Sequence, residues 1–426
     1  MDWLLPVISP YLDNSQFGGF KGLSTTHYLI KLLDYTHSVL DNREPNAVIA
    51  ALIDLSKAFN FVDHNILIED LFSMKCPSWL LRIIISYLTQ RTLIVNFQGC
   101  SSSPKLLPGG APAGCYLGGL IFIIKFNGAM LRPCVPRPMG INSEDKTKHM
   151  KYFDDATIVV SVDLKELKPE AATRPKPLNF NEKSELYLPQ DNNLLQQQMD
   201  KFEEFTVTNH MKINHDKSKV MIFNFSQKFR FPLEVNFSDG KNLELLESAK
   251  ILGVIVSNSL KWTENTELIT SKARGRIWTL RKLQNLGFND EFILDVYKKE
   301  MRSILEYNVP LWNGSITRKE SEKIEKVQKM VMKLLLKNEY VSYTEACEKF
   351  KLQKLHKRRE KLCLKFCKKE FKKSDHGIFK KSETKSKRIA NKRLVAEPKA
   401  RTDRYYKSAI PYLSRLMNKY AQSNFK

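Results

Sequence analysis

Residues 47–55 read Ala-Val-Ile-Ala-Ala-Leu-Ile-Asp-Leu, a run whose only polar member is Asp54. A nearly unbroken apolar run of this length is the pattern of a strand buried on both faces, and it carries an acid near its end. Further along, residues 148–162 (KHMKYFDDATIVVSV) read as two short strands joined at Asp154-Asp155. Tyr152 and Phe153 precede that turn, and Thr157-Ile158-Val159-Val160 follow it. Two strands that place acids at their ends set the fold class expected here, a sheet with helices packed on it.

An ionised carboxylate left unpaired among apolar side chains costs on the order of several kcal/mol, and two adjacent ones repel each other as well. A divalent cation removes both penalties, because carboxylates bound to it stay ionised. Three acids converging on one sheet edge suit two magnesium ions roughly 4 Å apart, an arrangement made for phosphoryl transfer. Asp54, Asp154 and Asp155 are the candidates. The residues alone leave this open: an Asp-Asp pair arises by chance about once in 400 residues, and most such pairs are exposed turns. A lone strand Asp is more often a cap or an ion-pair partner.

Working outward, Ser24-Thr25-Thr26 caps an expected helix with Leu29, Ile30, Leu33, Val39 and Leu40 at helical spacing. Helices are expected from Asp63 and over 79–88, with a short strand over 93–97. The glycine-rich stretch 108–114 (PGGAPAG) runs into an apolar helix around 117–126. Residues 163–190 read as an inserted loop and 194–210 as an amphipathic helix. Strands are expected over 219–225 and 249–256. From 264 the pattern is helical, over 266–285, 290–306 and 317–336, and residues 368–399 read as a disordered linker. The sum is an α+β sheet followed by an all-helical part.

Charge is distributed unevenly. The chain of 426 residues has a formal net charge of +23, yet residues 346–426 hold 26 Lys and Arg against 7 Asp and Glu, an excess of 19. Residues 1–345 hold 43 against 39, an excess of only 4. A polycationic end gains affinity for nucleic acid by counterion release; the alternative is a solvated tail. Seven scattered cysteines, at 76, 100, 115, 134, 347, 363 and 367, argue for reduced thiols inside the cell rather than a disulfide framework. Cys363 and Cys367 lack further ligands at zinc spacing. The apolar run 115–124 is too short for a membrane span, so no membrane partner is expected.

Together these segments acquire a family likeness. Ala51-Leu52-Ile53-Asp54-Leu55-Ser56-Lys57-Ala58-Phe59, followed by Val62-Asp63-His64, resembles motif A of reverse transcriptases from non-LTR, LINE-type retrotransposons. Residues 109–122 resemble motif B, and Tyr152-Phe153-Asp154-Asp155 resembles motif C. Gln16-Phe17-Gly18-Gly19-Phe20-Lys21-Gly22-Leu23-Ser24-Thr25 is similar to the finger segment that precedes motif A. Asn214 to Lys219 resembles motif D, and Lys250-Ile251-Leu252-Gly253-Val254 the primer-grip motif E. Leu305-Glu306-Tyr307 and Pro310-Leu311-Trp312 resemble the thumb of jockey-type elements.

The likeness implies a right-hand polymerase, with a palm of ferredoxin-like antiparallel sheet, partial fingers and a helical thumb. Residues 1–263 would be fingers and palm, 264–340 the thumb and 341–426 a basic C-terminal region. It implies RNA-directed DNA synthesis on an RNA template from a DNA primer, using deoxynucleoside triphosphates and two Mg2+ ions, with Mn2+ as a substitute. Asp54 and Asp154 would bridge both metals, with the Leu55 carbonyl as a further ligand and Asp155 supporting. Phe59 would exclude a ribose 2′-hydroxyl, Ala113 and Gly114 would line the nucleotide pocket, and Lys217 would protonate pyrophosphate. Leu252 and Gly253 would lie under the primer.

Two departures stand out. Ala113 occupies the position the family usually gives to glutamine, and Asn60 replaces a second acid that is not a metal ligand. The chain also begins after the front of the expected fingers and lacks an endonuclease domain, so a truncated copy is expected. The alternative is a catalytically inactive nucleic-acid-binding remnant; a nucleotidyl cyclase, with no need of a thumb, ranks below both. Location in nucleus or cytoplasm is left open, since Lys380-Lys381 and the basic stretch 385–393 sit in a segment that is basic throughout.

Overall fold

The computed structural model describes residues 3–44, 46–112, 114–127, 146–165, 194–226, 235–373, 377–382 and 394–424, with the short strands Lys168–Pro169 and Leu186–Tyr187. It divides into two compact units, Met1–Tyr28 with Glu44–Leu246, and Leu29–Arg43 with Glu247–Lys426.

The first unit is built on a five-stranded sheet. Its members are β1 (Asn46–Ile53), β2 (Thr147–Tyr152), β3 (Asp155–Asp163), β4 (Lys219–Asn224) and β5 (Glu244–Leu245), in the spatial order β5-β4-β1-β3-β2. β1 is central and antiparallel to both neighbours, pairing Ile53 with Ala156 on one side and Leu52 with Lys219 on the other. Burial on both faces is what its apolar run predicts, and Ala47 to Ala51 are all buried. β2 and β3 form a hairpin whose last pair is Tyr152 and Asp155, leaving Phe153 and Asp154 as the turn. The apolar helix Tyr116–Lys125 and the amphipathic helix Leu194–Thr208 supply Leu120, Phe122, Ile124, Leu195, Met199 and Phe202 to the core that this sheet shares.

Residues 92–106 form a narrow antiparallel arm rather than one strand. Thr92–Leu93 pairs with Lys105–Leu106 and Asn96–Phe97 with Cys100–Ser101. Gln98 and Gly99 take φ of 47° and 82° at its tip, the left-handed pair that a two-residue hairpin turn requires.

Among the described residues the second unit is mostly helical and carries one named hairpin, Ser248–Ile251 with Val254–Ser257. The region expected as one helix over 266–285 is two, Thr263–Gly275 and Ile277–Asn285. The next runs from Asp290–Val296 through a π-helical stretch, Tyr297–Arg302, to Ser303–Glu306. Arg318–Leu336 is capped as its sequence directs: Thr317 accepts from the Glu320 amide while Glu320 reaches back to the Thr317 amide.

Part of the segment read as a disordered linker is helical, for Leu355–Phe371 runs into it. Arg359 on that helix is buried, donating to Asn313 at 3.0 Å and Ser321 at 2.6 Å. Glu325 accepts from the Leu355 and His356 amides at 3.1 and 2.6 Å. The helix is therefore a packed member of this unit. Residues 374–376 and 383–393, including all of the basic stretch 385–393, lie outside the described residues.

Candidate active site

The three acids sit at one end of the sheet because of register. Ile53 is opposite Ala156, so Asp54 leaves β1 beside the point where Asp155 begins β3, next to the hairpin turn that holds Asp154. Their charges are close enough to act on one another. Burial raises the pKa of Asp154 and so does the Asp54 charge, against its own amide and Lys217. Asp155 is pushed up to about 6, by burial first and then by repulsion from Asp154 and Asp54.

The backbone after Asp54 is held by the segment 212–218. The Asn214 amide donates to the Asp54 carbonyl at 2.8 Å, and the Ser56 amide donates to the Lys212 carbonyl at 2.8 Å. Buried Ser218 accepts from the Asp54 amide at 3.2 Å and donates to the Asn214 carbonyl at 2.8 Å. Leu55 pairs with Ile213 in this bridge, whose bonds use the Asp54 carbonyl and the Ser56 amide, so the Leu55 carbonyl is not consumed by it. The same turn carries Lys217, whose Nζ stands 3.8 Å from Asp54 Oδ2 on an exposed side chain. A screened pair of that kind contributes little to stability and leaves the ammonium able to move.

Phe59 is half-buried and stacks on Phe122 with ring centroids 4.5 Å apart. Its carbonyl accepts from the Ala111 amide at 2.7 Å, the Gly110 amide donates to Val62 at 2.8 Å, and the His64 ring meets the Gly110 carbonyl at 2.9 Å. The glycine segment is thus fastened to the loop that follows Asp54. Gly118, in the first turn of Tyr116–Lys125, cannot be anything larger, because a Cβ there would lie 1.8 Å from the Pro112 carbonyl oxygen. Gly114 takes φ +84°, open to solvent, and Ala113 lies outside the described residues.

The sequence did not disclose the supports of the aspartate turn. Buried Gln16 accepts with Oε1 from the Phe153 amide at 3.0 Å and from the Gly18 amide at 2.9 Å. The Phe17 amide donates to the Lys151 carbonyl at 2.8 Å, and the Lys151 amide to Ser15 at 2.9 Å. Lys151 itself is wholly buried, with Nζ 3.0 Å from Asp13 Oδ2 and donating to the Phe126 and Asn127 carbonyls at 3.2 and 3.0 Å. Burial raises the Asp13 carboxyl, but the Lys151 charge and Ser15 outweigh it and hold it below the usual carboxylate range. Behind β3, buried Tyr28 bonds Thr157. The bonds of Gln16 to Phe153, of Phe17 and Asp13 to Lys151 and of Tyr28 to Thr157 join residues more than a hundred positions apart, and a local signal was the glycine pair that follows Phe17.

In the second unit Leu252 and Gly253 form the tip of the hairpin, with φ of 46° and 85°. Tyr307 donates its hydroxyl to the Leu252 carbonyl at 2.9 Å, and its ring lies 3.2 Å from where a Gly253 Cβ would stand.

The sequence profile described as "Reverse transcriptase (RNA-dependent DNA polymerase)" matches residues 7–256, more than half of the chain and all three acids. The chain belongs to the reverse transcriptase family. Its fold, a five-stranded sheet with packed helices in one unit and a largely helical second unit, is α+β. A protein of Drosophila melanogaster called "Probable RNA-directed DNA polymerase from transposon BS" is 28% identical over 153 residues, which are 35% of this chain and 16% of that protein. Among solved structures, apo telomerase from Candida tropicalis has a TM-score of 0.41 at 12% identity, covering 83% of this chain and 50% of the telomerase chain. Telomerase from Candida albicans, solved with a telomeric RNA fragment, has a TM-score of 0.33 at 12% identity, covering 86% and 53%. The chain thus spans about half the length of these telomerases and far less of the transposon protein.

The donors at the acid cluster are carboxylate and carbonyl oxygens, the hard ligands that suit magnesium. The pKa values of Asp154 and Asp155 are raised by burial first and by carboxylate repulsion after it, both of which a cation relieves. The donor chemistry fits. Among the described residues, however, no three His, Cys, Asp or Glu side chains, these acids included, are grouped so as to hold a metal ion. Within the described residues, no helix is long and apolar enough to cross a membrane.

Proposed function

We propose that this chain is the polymerase portion of a non-LTR, LINE-type reverse transcriptase that extends a DNA primer on an RNA template. The observation that carries the reading is the register that brings Asp54 beside the turn of Asp154 and Asp155 at one end of the sheet, within the span of the family match. Asp54, Asp154 and the Leu55 carbonyl would hold two magnesium ions, or manganese in their place, with Asp155 supporting. When bound, such ions activate the primer hydroxyl and neutralise the departing pyrophosphate.

The chain's own residues supply the rest. Lys217, beside Asp54, delivers a proton to pyrophosphate. Phe59, fixed by its stack on Phe122, blocks a ribose 2′-hydroxyl. The turn at Gly114, with Ala113 before it, admits the nucleotide backbone closely. Leu252 and Gly253, braced by Tyr307, bear on the primer strand. Residues 1–263 serve as fingers and palm, 264–340 as thumb and 341–426 as a basic extension.

The test is primer extension on an RNA template with magnesium, comparing the chain with Asp154→Asn. Loss of extension in the variant is expected, and extension unaffected by the substitution ends the catalytic assignment. A second reading, a nucleic-acid-binding protein that does not turn over, is favoured by the excess of 19 positive charges after residue 345. It predicts RNA retention with no extension by the unsubstituted chain.

A further inference from the structure

The helix Leu355–Phe371 has two faces of opposite character. Leu355, Arg359, Cys363, Cys367 and Glu370 are buried. Lys357, Lys361, Lys365, Lys369 and the capping residue Lys372 are all exposed, and follow one another at spacings of four, four, four and three. At 100° per residue those five lysines fall within an arc of about 120°, opposite the buried residues, and at 1.5 Å per residue the row is about 22 Å long. None of the five has an ion-pair partner among the described residues; Glu370 is engaged by Lys373 and Glu306 by Arg358. Glu360, the one exposed acid on the helix, lies outside that arc.

Like charges at i, i+4 destabilise a helix, and solvated faces ordinarily mix signs. A row of five unopposed ammonium groups on a helix whose other face is packed is a rigid cationic rail. Its spacing of about 6 Å per lysine matches a polyanion whose charges recur every few ångströms.

We propose that the exposed face of Leu355–Phe371 is a docking surface for single-stranded RNA, gripping its phosphates without reading its bases. The choice of RNA rests on the reverse transcriptase reading; the cationic rail itself does not. Lysine rather than arginine throughout fits point-charge contact with a sliding backbone rather than fixed bidentate recognition.

The experiment measures binding of the full chain to a fluorescent unstructured RNA by anisotropy, in EDTA, across a salt series. The variant carries Lys357→Gln, Lys361→Gln, Lys365→Gln and Lys369→Gln. A control of equal charge change carries Lys261→Gln, Lys272→Gln, Lys282→Gln and Lys319→Gln, four exposed lysines elsewhere in the same unit. With about 0.7 counterions released per phosphate neutralised, the rail variant should lose about 3 units of log–log salt slope, and on the order of a hundred-fold in affinity at 0.1 M salt. The control should lose markedly less. Equal losses in the two variants, or an unchanged slope in the rail variant, overturn the proposal. So does a rail variant that keeps RNA but loses anionic phospholipid vesicles. Unchanged melting curves confirm that both variants fold. Because no metal or nucleotide is present, Asp154→Asn should bind RNA like the unsubstituted chain, so failure of the catalytic reading and failure of this one are separately visible.

Discussion

Asp13→Asn deprives Lys151, whose side chain is 0% exposed, of the carboxylate that stands 3.0 Å from its Nζ in the first unit. Breaking a buried pair from one side leaves an uncompensated charge, which costs about 3–5 kcal/mol. Lys151 keeps its bonds to the Phe126 and Asn127 carbonyls, so the lower end of that range applies. For a unit of this size about 3 kcal/mol lowers the melting temperature by roughly 6–12 °C. The pH dependence has a definite sign. The Asp13 carboxyl titrates below its unfolded value, so its contribution is complete above the unfolded pKa and is lost as pH falls through the lower folded one. The gap between the two proteins should therefore be full at pH 7 and close in strong acid. Urea denaturation of both proteins over that range, in EDTA, measures it. Adding Lys151→Met should restore much of the loss, because an apolar side chain of similar length replaces the stranded charge. A cost below about 1 kcal/mol at pH 7, or a double variant no better than the single one, would refute the reasoning.

Two further outcomes follow from single contacts. Asp155→Asn should raise stability in EDTA at pH 8 but not at pH 4: the group ionises at lower pH unfolded than folded, where it sits near 6, so its charge is a cost once pH has passed both values. Neighbouring groups crowd the Asp155 carboxyl, but the residue keeps much of its surface in solvent, which screens its charge, so the gain should be about 1 kcal/mol rather than the full shift, read by thermal melts at the two pH values. Gly118→Ala forces a methyl to within 1.8 Å of the Pro112 carbonyl oxygen and should destabilise by about 3 kcal/mol, seen as a lower urea midpoint.

What was legible in the sequence was local. The run 47–55 gave β1 because eight apolar residues in nine admit only a buried strand, and the hairpin around Asp154-Asp155 was marked by the switch from polar to β-branched residues. Register was not legible: that Asp54 ends beside the Asp154-Asp155 turn is seen only in the pairing of Ile53 with Ala156. The helices after 264 were legible as apolar periodicity, but their breaks were not: the joint at Gly275-Arg276 was read through although a glycine marks it, and the π-helical stretch Tyr297–Arg302 has no glycine or proline to announce it. Lys151 was invisible as a core residue because a lysine is almost never fully buried, and only its distant partner Asp13 makes it so. Only the last turn of the helix Leu355–Phe371, residues 368–371, was taken into the linker, because Lys368 and Lys369 there conceal the buried Glu370.

Phe153 holds φ at +55°, a conformation that a bulky side chain adopts only under constraint, and the constraint is visible: Gly18 and Gly19 have no Cβ, and one at either place would strike the Phe153 amide or the Ile123 methyl. The aromatic ring therefore works as a wedge that locks the aspartate bend to the strand segment beside it. Enlarging either glycine, at positions that bear no charge, would twist the bend and scatter the acids, so damage there should mimic loss of a carboxylate.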